Sequence, residues 1–164
     1  MKDRPFPLQS PMPPITIRPA RPEDLDTLVG FNAAMALETE QLTLDPERLR
    51  AGVALLLADA AKGQYRVAER DGTVVGALML TREWSDWRCG DWWWIQSVYV
   101  RPEARRCGVF RALYDSVERE ARARADVCGL RLYVERDNAH AQATYSALGM
   151  AEAHYRMFEV STRG

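Results

Sequence analysis

Two segments of this chain place chemistry-bearing residues at useful spacings. In the first, Val98-Tyr99-Val100 leads through Arg101, Arg105, Arg106, Cys107 and Gly108 into Val109-Phe110-Arg111-Ala112-Leu113. This is a β-branched run, a basic turn with one glycine, and the start of a helical pattern. The leading amides of such a helix, its dipole and two arginines suit an anionic, phosphate-bearing ligand. A plain strand-to-helix loop with solvated arginines accounts for the same residues equally well. In the second segment Asn138 is placed to cap a helix, with Ala141, Tyr145 and Leu148 on one face. Taken alone, an aromatic on such a stripe is more often core than chemistry.

A third stretch, Glu83-Trp84-Ser85-Asp86-Trp87-Arg88, pairs tryptophans with acids, and Trp92-Trp93-Trp94 follows closely. Indole faces attract cations and carboxylates neutralise them, so this hairpin suits a protonated amine. The competing reading has tryptophans covering a sheet while the acids solvate a turn. Cys107 has no neighbouring base to make it a nucleophile and reads as loop filler. His140 and His154 read as structural or exposed. No His or Cys cluster has metal-ligand spacing, so no metal is expected.

The elements that must position these groups follow from pattern. Ile15 to Arg18 alternates as a first strand, and Pro22 opens a helix carrying Leu25, Leu28 and Val29 on one face. Asp45 and Pro46 open a second helix with Leu49, Val53, Leu56 and Leu57. Between these helices lie Glu38 and Glu40. Residues 64–69 and 73–81 flank Asp71-Gly72 as a hairpin. Strand 92–100, helix 109–124, strand 130–134, helix 139–148 and strand 155–160 complete the order β-α-α-β-β-β-α-β-α-β, a mixed α/β domain with helices flanking a central sheet.

Composition bounds the rest. The 164 residues are enough for one domain, read as 15–164. Residues 1–14 hold five of the nine prolines and read as an extended or disordered arm. The 22 basic and 23 acidic residues nearly cancel, so no global field draws the chain to nucleic acid or an anionic membrane. No apolar run approaches the roughly 18 residues of a membrane span. The N-terminus carries no secretion-signal pattern, and a cytoplasmic protein is expected. Three widely spaced cysteines do not suggest a disulfide framework.

Together the first two segments resemble, in spacing and order, the acetyl-CoA-binding motifs of the GNAT N-acetyltransferase superfamily. Arg105, Gly108 and Phe110 fall on the first motif, Phe110 standing where the family has a small residue. Asn138, Ala141, Tyr145, Gly149 and Met150 fall on the second. The resemblance implies a single-domain GNAT fold with a mostly antiparallel mixed sheet, and acetyl-CoA as co-substrate. It further implies coenzyme contacts from Val98, Val100, Arg105, Arg106, Cys107, Gly108, Val109, Phe110, Arg111, Asn138 and Tyr145. Amides from Cys107 to Ala112 would hold the pyrophosphate, the Val98 amide the thioester carbonyl, and Asn138 the pantetheine. Tyr145 would protonate the departing thiolate.

On the acceptor side, Gln96 falls where superfamily members often carry a carboxylate, and Glu38, Glu83, Trp84 and Gln96 are the expected substrate contacts. Glu83 is the candidate base, with Asp86 and Asp91 nearby and Glu38 and Glu40, on the segment between the first two helices, as the other carboxylates. The implied activity is direct acetyl transfer to a primary amine of a small molecule or peptide. A non-catalytic acyl-CoA-binding or sensor domain is the alternative, and a homodimer is a reasonable expectation.

Overall fold

The structure, a computed structural model, describes residues 13–162. The expected N-terminal arm therefore lies outside the described residues except for Pro13 and Pro14. Two compact units divide the chain, one ending at Leu132 and the other beginning at Tyr133.

In the first unit a five-stranded sheet has the order β1-β2-β3-β4-β5. Its strands are β1 (Thr16–Pro19), β2 (Gln64–Arg70), β3 (Thr73–Ser85), β4 (Gly90–Val100) and β5 (Val127–Arg131). The first four pair antiparallel and β5 pairs parallel to β4, which gives the mixed sheet expected. Asp71 and Gly72 both take the left-handed conformation (φ 50° and 71°), which matches the turn to the twist of β2 and β3.

Helices α1 (Leu25–Glu40) and α2 (Pro46–Ala58) follow β1, and α3 (Val109–Arg122) joins β4 to β5. The Asp45 carboxylate accepts from the Arg48 amide at 2.9 Å, so the capping signal sets where α2 begins. On α1, Leu28, Phe31, Asn32 and Ala36 are buried. On α3 the predicted stripe Val109, Leu113, Val117 and Ala121 is buried with Tyr114. Leu28, Phe31, Val53, Tyr65, Val67, Val74, Ala77 and Tyr99 form the core between α1, α2 and the sheet.

Two departures from the expected bounds stand out. The first helix runs through the Glu38 segment to Glu40 instead of stopping before it. The strand expected at 130–134 sits at 127–131, because its ladder is set by β4: Asp91 pairs with Val127 and Trp92 with Gly129. A Cβ on Gly129 would lie 2.5 Å from the Trp92 ring, so only glycine lets that indole lie across β5.

The second unit carries α4 (Ala139–Ala147). Residues 155–160 form no strand. Alternation marks which face a strand would bury, but a strand exists only where a ladder satisfies its backbone. Here Tyr155, Met157, Phe158 and Val160 are all exposed.

Candidate active site

The site begins with an irregularity in β4. Gln96 pairs with Met79 and Tyr99 with Ala77, so three steps along β4 match two along β3. One residue is extra, which is a β-bulge. Ser97 takes φ 48° there, a left-handed conformation costing a non-glycine residue about 1–2 kcal/mol. An inserted residue turns every later side chain to the other face. Before the bulge, Trp93 lies against Arg124, just past α3. After it, Tyr99 packs on Phe31 of α1, ring centroids 5.0 Å apart. Val98 and Val100 are half-buried just beyond the bulge.

The turn after β4 leads into α3 through Arg106 (φ 61°) and Gly108 (φ 76°). Gly108 is the N-cap of α3, and nothing lies within 4 Å of where its Cβ would be. Glycine is therefore required for conformation, and open space lies before the helix. The leading amides of a helix have no intrahelical acceptor. The Ala112 amide is the first to bond back, to the Gly108 carbonyl at 2.9 Å, and so leaves the expected phosphate-facing set. The Phe110 ring turns to Tyr114 at 6.3 Å, so its bulk is directed along the helix. Arg106 and Arg111 are exposed and Cys107 is half-buried.

Arg105 is more constrained than its neighbours. Its Nε donates to the Val100 carbonyl at 2.9 Å and its Nη2 to Glu38 at 2.7 Å. The Tyr99 hydroxyl donates to the other Glu38 oxygen at 3.1 Å, and burial, then Glu38, raise the Tyr99 pKa. Glu38, expected at the acceptor, thus joins α1 to the basic turn.

Glu83 lies on β3 opposite Trp92. Arg131 of β5 donates to both its oxygens, at 3.0 and 3.1 Å, and the Trp94 indole N–H donates to it as well. The Arg131 guanidinium stacks 4.0 Å from the Trp92 centroid. The cation on this aromatic and acidic surface is therefore the chain's own. Trp84 remains 61% exposed, and the Gln96 amide donates to the Thr81 hydroxyl at 2.6 Å.

In the second unit the Asn138 side chain accepts from the Ala141 amide at 3.0 Å and caps α4. Tyr145 is half-buried on this helix, and burial raises its hydroxyl pKa. Among the described residues no group of three or more His, Cys, Asp or Glu side chains is arranged to hold a metal ion. Also among them, no helix is long and apolar enough to cross a membrane.

Sequence reasoning missed Ser97 and Arg131. The run Trp92-Trp93-Trp94-Ile95 is apolar on both parities and gives no phase from which a slip could be read. Arg131 was visible only as a basic residue in a strand.

The fold and the loop between β4 and α3 define an acyltransferase class. The model of the acetyltransferase (GNAT) family matches residues 27–150, well over half of the chain, and the chain belongs to this family. It is similar to a possible acetyltransferase from Clostridium difficile 630, with 45% identity and a TM-score of 0.87, over 92% of this chain and 99% of that one. It shares the fold of a ribosomal-protein-alanine N-acetyltransferase from Brucella melitensis biovar Abortus 2308, at 19% identity and TM-score 0.74, over 92% of this chain and 100% of that one. The fold is likewise that of a predicted acetyltransferase with acetyl-CoA from Clostridium acetobutylicum, at 16% identity and TM-score 0.71, over 90% and 96%. No curated protein matches the chain significantly.

Proposed function

We propose that this chain is an N-acetyltransferase that moves the acetyl group of acetyl-CoA to a primary amine of a small molecule or peptide, by direct attack in a ternary complex. The observation that carries this reading is the bulged end of β4 at Val98, followed by a basic turn and the open N-terminus of α3 at Gly108. Family membership supplies the chemistry of an activated thioester.

Each role follows from what the residue offers. The α3 start, with Arg106 and Arg111 exposed beside it, takes the phosphates through amides and charge. Arg105 holds the turn in shape through Val100 and Glu38. The Val98 amide donates to the carbonyl oxygen where negative charge develops as the amine nitrogen attacks. Tyr145 gives its proton to the departing thiolate as the carbon–sulfur bond breaks, and its raised pKa keeps it protonated at neutral pH.

The surplus proton of the amine passes to solvent. Glu83, the base expected from sequence, becomes a positioning group here, because Arg131 and Trp94 already engage its oxygens.

A second reading, a non-catalytic acyl-CoA-binding domain, is favoured by one observation: Glu83 and Gln96 are both committed to partners, to Arg131 and Thr81. Calorimetry with acetyl-CoA, paired with thiol release against polyamines, amino acids, aminoglycosides and peptides with free N-termini, separates the two. The transferase requires binding and amine-dependent thiol release; binding without release from any amine leaves the binder. Gly108→Glu, which puts bulk and negative charge before α3, is the control and is expected to abolish binding.

A further inference from the structure

Neither the sequence pattern nor a full set of neighbours fixes where the β4 bulge falls. The run from Trp92 to Ile95 is apolar on both parities, so hydrophobicity alone lets the extra residue sit at several places along the strand. On the β5 side the ladder ends at Trp94 and Arg131, which leaves the outer edge of β4 from Ile95 onward without a paired strand among the described residues. Beyond that point only β3 pairs with β4.

Two side-chain hydrogen bonds bracket the bulge instead. Before it, Gln96 is half-buried and its Nε2 donates to the Thr81 hydroxyl of β3 at 2.6 Å. After it, Tyr99 is 9% exposed, its ring packs 5.0 Å from Phe31, and its hydroxyl donates to Glu38 of α1 at 3.1 Å. Arg105 reinforces that end, donating from Nε to the Val100 carbonyl at 2.9 Å.

Each bond forbids one slip. Gln96 pairs with Met79 and Tyr99 with Ala77, two residues apart on β3, so both side chains lie on one face of the sheet. Moving the extra residue to the N-terminal side of Gln96 would pair Gln96 with Leu80 and turn it to the opposite face, away from Thr81. Moving it past Tyr99 would pair Tyr99 with Gly76, turning its ring off Phe31 and its hydroxyl off Glu38. The two bonds reach different elements, β3 and α1, and together confine the extra residue to Ser97 and Val98, where Ser97 is left-handed at φ 48°. Strained backbone persists only where its surroundings over-determine it.

We propose that Gln96 and Tyr99 are positioning residues: through Thr81 and Glu38 they hold the bulge at Ser97 and Val98 and so keep the Val98 amide directed at the reacting carbonyl. Gln96, expected as a substrate contact, acts on the reaction through β3. The catalytic half of the inference rests on the acetyl-transfer reading; the conformational half stands on the register alone.

The test is a double-variant cycle in the full chain on Gln96→Leu and Thr81→Val, which break the first bond from either end. Amide hydrogen exchange, followed by NMR, is expected to speed up about tenfold at residues 77–79 and 96–99 in either variant, with β1 unchanged. With acetyl-CoA and the best amine acceptor found, kcat is expected to fall about 10- to 100-fold in each, while KM for acetyl-CoA and for the amine stays within about twofold. Because the two variants remove one and the same bond, the double variant should lose no more than either alone. Tyr99→Phe, which keeps the ring on Phe31 and removes only the bond to Glu38, should show the same exchange pattern and a smaller loss of kcat.

A raised KM for the amine in Gln96→Leu with kcat unchanged would return Gln96 to the substrate and overturn the proposal. Losses that multiply in the double variant, or unchanged exchange at residues 96–99, overturn it as well. If Gln96→Leu does not fold, the nearly isosteric Thr81→Val is judged alone, by the same exchange and the same KM-against-kcat split. If the unaltered chain transfers acetyl to no amine, the acetyl-transfer reading fails, and exchange still decides whether the two bonds hold the bulge.

Discussion

Glu38, in the last turn of α1, reaches Arg105 at 2.7 Å in the turn between β4 and α3. The Arg105 guanidinium also lies 5.5 Å from the centroid of Tyr99, whose hydroxyl donates to the same carboxylate. A group assigned by position to the acceptor side thus neutralises a cation of the coenzyme turn.

Both side chains are more than two-fifths exposed, so the pair contributes only about 0.2–1 kcal/mol to stability. Glu38→Gln should therefore leave the melting temperature nearly unchanged. Its effect falls on the ligand: removing one negative charge beside a phosphate site should tighten acetyl-CoA binding about two- to fivefold at low salt, and screening should erase the gain at high salt. Calorimetry at two ionic strengths checks this. Weaker binding would mean that Glu38 serves chiefly to hold Arg105 in its working pose.

Glu83 is expected to matter through Arg131. Its oxygens meet that guanidinium at 3.0 and 3.1 Å, so Glu83→Gln loosens Arg131 over Trp92 more than it removes a base. We expect kcat to fall less than about tenfold, against the 10²- to 10⁴-fold typical of a lost general base. Arg131→Ala should produce a similar loss. A large loss in Glu83→Gln alone would restore the proton-accepting role.

What the sequence made legible was whatever rests on local spacing. The Asp45 cap, the Asp71-Gly72 turn and the Val109–Ala121 stripe all appear where the pattern puts them, because each is settled within a few residues. The family likewise rests on short motifs. What was not legible depends on partners distant in sequence. The β5 register follows from β4, and the strand pattern at 155–160 carries no information about whether a neighbouring ladder exists. Glu83 reads as a cradle for a foreign cation until Arg131 is placed beside it, 48 residues further along the chain. The bulge is hidden for a related reason, since an apolar run on both parities can slip by one without altering its pattern.

Asp24 anchors the entry to α1 and should govern acid stability. It is 7% exposed, accepts from Arg18 at 2.7 and 3.0 Å, and accepts from the Arg21 amide at 2.7 Å. Arg18 chiefly, opposed by burial and helped by the Arg21 amide, holds its carboxyl below the usual 3.8. A carboxylate whose pKa is depressed on folding adds stability above its unfolded value, and that stability is lost as pH falls through the folded value. The loss is therefore confined to pH below about 4. Asp24→Asn should cost about 2–3 kcal/mol at neutral pH, less than a fully buried pair because Arg18 keeps Glu69 at 2.8 Å. Urea unfolding from pH 7 down to pH 3 checks it: the gap between the two chains should hold to about pH 4 and narrow below it, and a constant gap would rule out the ionised carboxylate as the source.

Tyr145 separates the two functional readings. As an acid it must be protonated, and a pKa raised by burial keeps it so below its folded value, with the proton lost only as pH rises past the ordinary 10.0. Up to that point activity should show no alkaline fall attributable to Tyr145. A coenzyme A thiol near the ordinary thiol value of about 8.5 departs more readily when a proton is supplied at the sulfur. Tyr145→Phe removes that proton while preserving the ring, so kcat should drop about 10²-fold and acetyl-CoA affinity should stay within about twofold. The deficit should shrink with a thioester whose thiol is more acidic, because such a leaving group needs less protonation. A loss of equal size for both thioesters would assign Tyr145 to binding geometry. An unchanged kcat would remove it from the reaction.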